Sequence, residues 1–120
     1  MKIALTVTEK SENAKVDPRF GRCSAFMIFN EESGEKKFID NSQNLNAPQG
    51  AGIQASQNVL KENINVLITG NVGPKAFNLL KDANVKIFIG AEGMSIDDAI
   101  KAYKEGKLNE ATSATKPGHW

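Results

Sequence analysis

The chain has almost none of the residues from which proteins build metal cages: a single cysteine, Cys23, and a single histidine, His119, in 120 residues. A lone cysteine closes no disulfide within the chain, which excludes a cysteine-rich secreted scaffold and agrees with a reduced, cytoplasmic setting. The same scarcity rules out a four-ligand zinc site or a cysteine-held iron-sulfur site made by this chain alone. No apolar run approaches membrane-spanning length. The opening Met1-Lys2-Ile3-Ala4-Leu5-Thr6-Val7-Thr8 is too short and too regularly alternating for a signal peptide, so neither a membrane partner nor export is expected. An excess of charge of one sign is missing as well. Fifteen basic residues against 14 acidic leave a net charge of +1, with no global field to gather nucleic acid or an anionic membrane. Aromatic residues make up only 7% and fall mostly in apolar runs, which leaves no stacking platform for bases.

What is present patterns as one α/β domain, long enough to bury roughly two thirds of its unfolded surface. Ile3, Leu5 and Val7 alternate with Ala4, Thr6 and Thr8 as a first, central strand. Ala25-Phe26-Met27-Ile28-Phe29 and Lys37-Phe38-Ile39 flank a glycine-bearing connection and predict a hairpin. A polar loop over 41–50 follows, longer than a compact domain usually needs. The spacing of Ile53, Ser56, Val59 and Leu60 predicts a helix from about Gly52 to Glu62. Val66-Leu67-Ile68 is a short, doubly covered strand, and Pro74 opens a second helix that buries Ala76, Phe77 and Leu80. Val85 to Ile89 forms a fifth strand. Ser95 with Asp98 then resembles a capping box ahead of a third helix. Right-handed crossovers make the sheet mixed, with five strands in the order 3-2-1-4-5 and about three helices packed on it. The domain is expected to span 1–108, followed by a flexible C-terminal tail over 109–120.

Thirteen of the 15 basic residues are lysines spread along the chain, whereas both arginines stand together in Asp17-Pro18-Arg19-Phe20-Gly21-Arg22-Cys23. Arginine offers a permanently charged fork of donors, glycine lets a ligand approach the backbone, and cysteine can supply a thiolate. The stretch therefore reads as a soft-anion site, or as a turn that merely feeds a strand. Two glycine-rich helix entrances, Gly50-Ala51-Gly52 and Gly70-Asn71-Val72-Gly73-Pro74, offer backbone N–H groups to an anion, or are ordinary turns. Neither is a Walker A loop or a Rossmann fingerprint, so nucleotide binding is not expected. Cys23 is a candidate soft ligand or a small buried residue. His119 is a candidate ligand in the tail, or part of a loose end.

A preassembled metal-sulfur cluster asks little of such a chain. Its own sulfides complete the metal coordination, and the protein supplies positive charge, backbone donors and at most a terminal ligand. Hydrolysis is poorly served, since the single His stands far along the chain from Cys23 and no nucleophile motif accompanies either. Two-metal nuclease chemistry needs carboxylates on the central strands, and residues 3–8 and 65–69 contain none.

Read together, Asp17-Pro18-Arg19-Phe20-Gly21-Arg22, Gly50-Ala51-Gly52-Ile53-Gln54-Ala55, the run from Val66 through Gly70 to Phe77, and the closing run from Ala99 to Leu108 resemble the dinitrogenase iron-molybdenum cofactor biosynthesis family. The resemblance covers nearly the whole chain. It implies a ribonuclease H-like fold without nuclease function, and a non-enzymatic role in binding, storing or transferring a molybdenum-iron or molybdenum-copper sulfide cluster held largely non-covalently. On that reading Arg19, Phe20, Gly21, Arg22 and Cys23 form one wall of the site, with Gly52 and Gly73 contributing backbone donors and Cys23 and His119 as candidate metal ligands. Cluster donor or acceptor proteins would be its partners. Many members carry histidine before the Phe-Gly pair. Arg19 stands there in this chain, and a guanidinium donates hydrogen bonds without coordinating, which favours electrostatic capture of an anionic cluster. The alternative is a regulatory or interaction module of the same fold that has lost cluster binding and touches a partner through the 41–50 loop and the tail.

Overall fold

Ile3, Leu5 and Val7 project to one side of the first strand and Ala4 and Thr6 to the other, and all five are fully buried. A strand covered on both faces belongs in the middle of a sheet. A computed structural model of the chain, which describes residues 1–44 and 50–114, places it there. β1 (Lys2–Val7) pairs antiparallel with β2 (Ala25–Asn30), Val7 opposite Ala25, and β2 pairs antiparallel with β3 (Lys36–Asp40). On its other side β1 runs parallel to β4 (Val66–Ile68), which runs parallel to β5 (Lys86–Ile89).

The five expected strands keep their expected order, and the chain adds a sixth. β6 (Asn109–Glu110) pairs antiparallel with β5, giving the order β3-β2-β1-β4-β5-β6. The expectation of a tail from residue 109 is corrected accordingly. Ala111 donates its N–H to the Ile87 carbonyl at 2.8 Å and is buried, so the folded unit continues past Leu108. Residues 115–120, His119 among them, lie outside the described residues.

Three helices cover this sheet. α1 (Ala51–Leu60) and α2 (Pro74–Asp82) bury Ala55, Val59, Ala76, Phe77 and Leu80 against Ala4, Phe26, Leu67 and Ile87. α3 (Ile96–Lys104) buries Ile96, Ala99 and Ile100 on the opposite face against Ile3, Leu5, Met27 and Ile68. The result is a ribonuclease H-like α/β sandwich with two helices on one face and one on the other. Among the described residues no helix is long and apolar enough to cross a membrane.

Strand direction decides where a site can form. β1, β4 and β5 are parallel, so their carboxyl ends lie along one edge, and β2 begins at that edge because it opposes β1. In open α/β sheets ligands bind beyond such an edge. Here the edge is fastened by polar groups inside the core. Thr6 Oγ1 donates to the Asp17 carbonyl at 2.8 Å and lies 2.9 Å from Thr69 Oγ1, with both hydroxyls buried. Each hydroxyl has one proton, so Thr69 is the donor between the two.

Backbone meets backbone just beyond. A Cβ on Gly70 would stand 2.6 Å from Pro18 Cα and 2.9 Å from both the Pro18 carbonyl oxygen and Glu92 Oε2. Only a hydrogen fits in that gap. Gly70→Ala is therefore expected to cost at least about 2 kcal/mol in chemical denaturation. Gly34→Ala, at φ +76° but in open space, is expected to cost about 1 kcal/mol. Equal losses for the two would show that the close approach is not what Gly70 serves.

Candidate functional site

The segment that carries both arginines is laced onto the turn that follows β4. Asn71 donates its N–H to the Pro18 carbonyl at 2.8 Å, and Phe20 donates its N–H to the Asn71 carbonyl at 3.2 Å, so Arg19 and Asn71 sit side by side as a one-residue parallel bridge. The Phe20 ring supplies the apolar anchor. It is fully buried and packs against Phe26, ring centres 5.5 Å apart, which holds the loop down on the face covered by α1 and α2.

Two helix N-termini open at the same edge. α1 starts after Gly50, which has φ +78°, and α2 starts after Gly73 with Pro74 as its first residue; neither has a side-chain cap or an acidic residue in its first turn. The leading N–H groups of an α-helix have no partner within the helix, and the dipole adds positive potential there. α3 differs. Ser95 Oγ accepts from the Asp98 N–H at 3.1 Å, and Asp97 and Asp98 occupy its first turn. Positive potential is thus spent within α3, whereas the starts of α1 and α2, where Ala51 and Gly73 are buried, have no cap side chain to take it up.

Arg19 is half-buried, its Nε 3.5 Å from Asp17 Oδ1, and that same oxygen accepts the Arg19 backbone N–H at 2.9 Å. Asp17 itself is only 4% exposed. Behind the loop, Asn41 Nδ2 donates to the carbonyls of Gly21 at 3.2 Å and Cys23 at 2.9 Å and approaches Cys23 Sγ at 3.5 Å, while Asn41 Oδ1 accepts from Asn44 Nδ2 at 2.8 Å. Cys23 is fully buried in the core. Burial first, and the Asp17 carboxylate next, push its ionisation far above the ordinary thiol value of 9.0, against the weaker opposing pull of Asn41 and Arg19. Among the described residues no three His, Cys, Asp or Glu side chains converge as a metal cage. The arrangement can hold an anion by charge and hydrogen bonds, and it presents no thiolate.

Residues 1–106 match the model of the dinitrogenase iron-molybdenum cofactor family. The chain belongs to that family. It is 36% identical over 113 residues to an uncharacterized protein of Methanocaldococcus jannaschii, covering 92% of this chain and 91% of the relative. Among solved structures it resembles the apo form of the orange protein from Desulfovibrio gigas, with a TM-score of 0.90, 34% identity and 96% of each chain covered. It also resembles a Thermotoga protein described as NifB-like, of the DUF35 family, with a TM-score of 0.83, 32% identity and coverage of 96% of this chain and 97% of that one.

Within this family member the residues expected to form the site divide into three groups. Arg19 lies beside the α2 entrance through the Asn71 bridge, and Gly73, itself buried, ends that entrance. Arg22 is half-buried in the same loop and has interactions of its own. Phe20, Gly21 and Cys23 face inward: the ring is core, Gly21 is buried with its carbonyl taken by Asn41, and the thiol is sealed. Phe20 and Cys23, expected at the site, are thus packed into the core, where an aromatic and a small apolar side chain beside a sheet gain from burial. Gly52 lies within the first turn of α1, and its carbonyl accepts from Ser56 Oγ at 2.7 Å.

Asn71, Asn41 and the Thr6–Thr69 pair were not foreseen as parts of the site. The available signal was polar residues at the ends of otherwise apolar strands. A shallow polar depression lined by Glu12, Asn13, Lys36, Ile96 and Asp97 lies on the α3 side, and its lysine is already neutralised by Glu12 and Asp97 at 3.6 and 3.5 Å.

The Cys23 geometry makes a pH prediction. A thiol kept neutral in the folded chain but free to ionise when unfolded contributes stability that is complete below pH 9 and erodes above it. Between pH 9 and 10.5 the wild type should lose up to about 1.4 kcal/mol per pH unit more than Cys23→Ala does in parallel urea titrations. Superimposable slopes would place the thiol in contact with water.

Proposed function

We propose that this protein binds an anionic metal-sulfur cluster as cargo, storing or transferring it without catalysis. Three uncharged or cationic elements meet at one edge: the Arg19 guanidinium, the open start of α1 and the open start of α2. Arginine and uncapped helix N-termini are donors only, so what they recognise is an acceptor-rich anion. That convergence, in a member of the dinitrogenase iron-molybdenum cofactor family, is the observation that carries the reading.

The described residues fit a cluster that arrives with its own sulfides and do not fit bare metal ions. A guanidinium forms charge-assisted bonds to sulfide or oxo groups, and a sealed thiol and scattered carboxylates cannot assemble a coordination shell. The cargo is a molybdenum-copper or molybdenum-iron sulfide, and exchange with donor or acceptor proteins takes place in the cytoplasm. Cluster binding costs the protein little reorganisation at the arginine loop and the β4–α2 turn, because the two are already bridged to each other.

Anaerobic reconstitution of the full chain with tetrathiomolybdate and either copper or iron should give a visible charge-transfer band that co-elutes with the protein. Absence of retained colour and metal under both conditions would sink the proposal. The double change Arg19→Ala, Arg22→Ala should weaken retention roughly tenfold or more, against less than about twofold for Lys81→Ala, Lys86→Ala on the exposed surface. Equal effects would remove the local electrostatic argument.

A further inference from the structure

A buried carboxylate beside an anion-binding arginine is, by Coulomb repulsion alone, a disadvantage to the site. Asp17 is such a group, its side chain 6% exposed next to an Arg19 side chain that is 38% exposed. We propose that Asp17 is a positioning residue, whose fixed carboxylate sets the plane of the Arg19 guanidinium so that its far edge meets the anionic cargo. This inference rests on the cluster-binding reading above.

Asp17 is held on every side. Its N–H donates to the Thr6 carbonyl at 2.9 Å, and its carbonyl accepts from Thr6 Oγ1 at 2.8 Å, which ties the residue to the end of the central strand. Its side chain then folds forward two residues to accept the Arg19 N–H at 2.9 Å, the Asx-turn geometry that aspartate favours. One oxygen therefore governs both halves of Arg19. It accepts the hydrogen bond of the backbone amide and stands as an ion-pair partner 3.5 Å from Nε.

A guanidinium is planar, so restraining Nε restrains the orientation of both terminal nitrogens. Among the described residues no second acidic partner stands within ion-pair distance of Arg19. An arginine without this restraint would have to surrender several rotors on binding, and preorganisation removes that cost. Positioning and plain electrostatics predict opposite signs. If Asp17 merely sat nearby, its neutralisation would tighten an anion; if it positions Arg19, neutralisation weakens it.

Asp17→Asn and Asp17→Ser both keep an acceptor for the Arg19 N–H and remove the charge. Anaerobic titration of the full chain with tetrathiomolybdate and copper(I) should show binding weakened roughly five- to tenfold in either variant. In an Arg19→Ala background the same changes should produce no loss or a slight gain. Unchanged or tighter binding in the presence of Arg19 overturns the inference. So does an equal loss in the Arg19→Ala background, which would mark a purely structural role.

A second measurement needs no ligand. In ¹⁵N relaxation of the wild type, the Arg19 Nε should be nearly as ordered as the neighbouring backbone, and in Asp17→Asn it should be as mobile as that of a free arginine side chain. A mobile Nε in the wild type overturns the inference, and this measurement decides the matter should both variants fail to fold. If the wild type retains no cluster, the cargo reading falls, while the Nε mobility still reports whether Asp17 sets Arg19.

Discussion

Gly70 lies beneath Pro18 with no room for a methyl group between them, and the site takes its shape from that contact. The approach lets Asn71 form a two-way backbone bridge with Pro18 and Phe20, and the bridge sets Arg19 beside the start of α2. The buried Thr6–Thr69 hydroxyl pair secures the same junction from inside, because it links the two central strands and the Asp17 carbonyl at once. A buried polar group is tolerated only when its partners are all present, so this small network specifies one arrangement of the edge and disfavours others. Apolar packing alone would have allowed the loop to slide.

Charge in this protein works by placement. The chain is nearly neutral, and its surface lysines and carboxylates are interspersed, with exposed ion pairs such as Lys10–Asp40 at 3.9 Å and Lys107–Glu105 at 3.1 Å. Pairs of that kind contribute at most about 1 kcal/mol and create no field at a distance. The carboxyl edge of the sheet is different because three sources of positive potential meet there. Two of them are backbone, which carries no side chain to titrate and holds its potential at any pH.

The strands and helices were legible in the sequence because their signals are local. Alternation in Ile3–Thr8, the glycine-bearing hairpin before Lys37, and the Ser95–Asp98 cap each belong to a short window, and each appears where expected. β6 escaped notice because Asn109 and Glu110 have no apolar pattern; they pair through backbone alone, and only the neighbouring Ala111 is buried. The arginine loop was found by composition, yet composition says nothing about direction. Phe20 and Cys23 turn inward, while Arg19 stays half-exposed, and that division follows from the Asn71 bridge, whose two halves lie far apart in the chain. Asn41 was hidden for the same reason, since its Nδ2 contacts are all with a loop one hairpin away.

The Arg19–Asn71 bridge also has a meaning in time. Its two strands of backbone come from opposite halves of the chain, and contacts of such long sequence separation form only after the loop between them has closed. During synthesis the arginine loop leaves the ribosome well before β4 and α2 exist to receive it. A partly made or partly unfolded chain therefore carries both arginines but no assembled edge, and the full set of donors proposed for an anionic cluster exists only on a molecule that has finished folding.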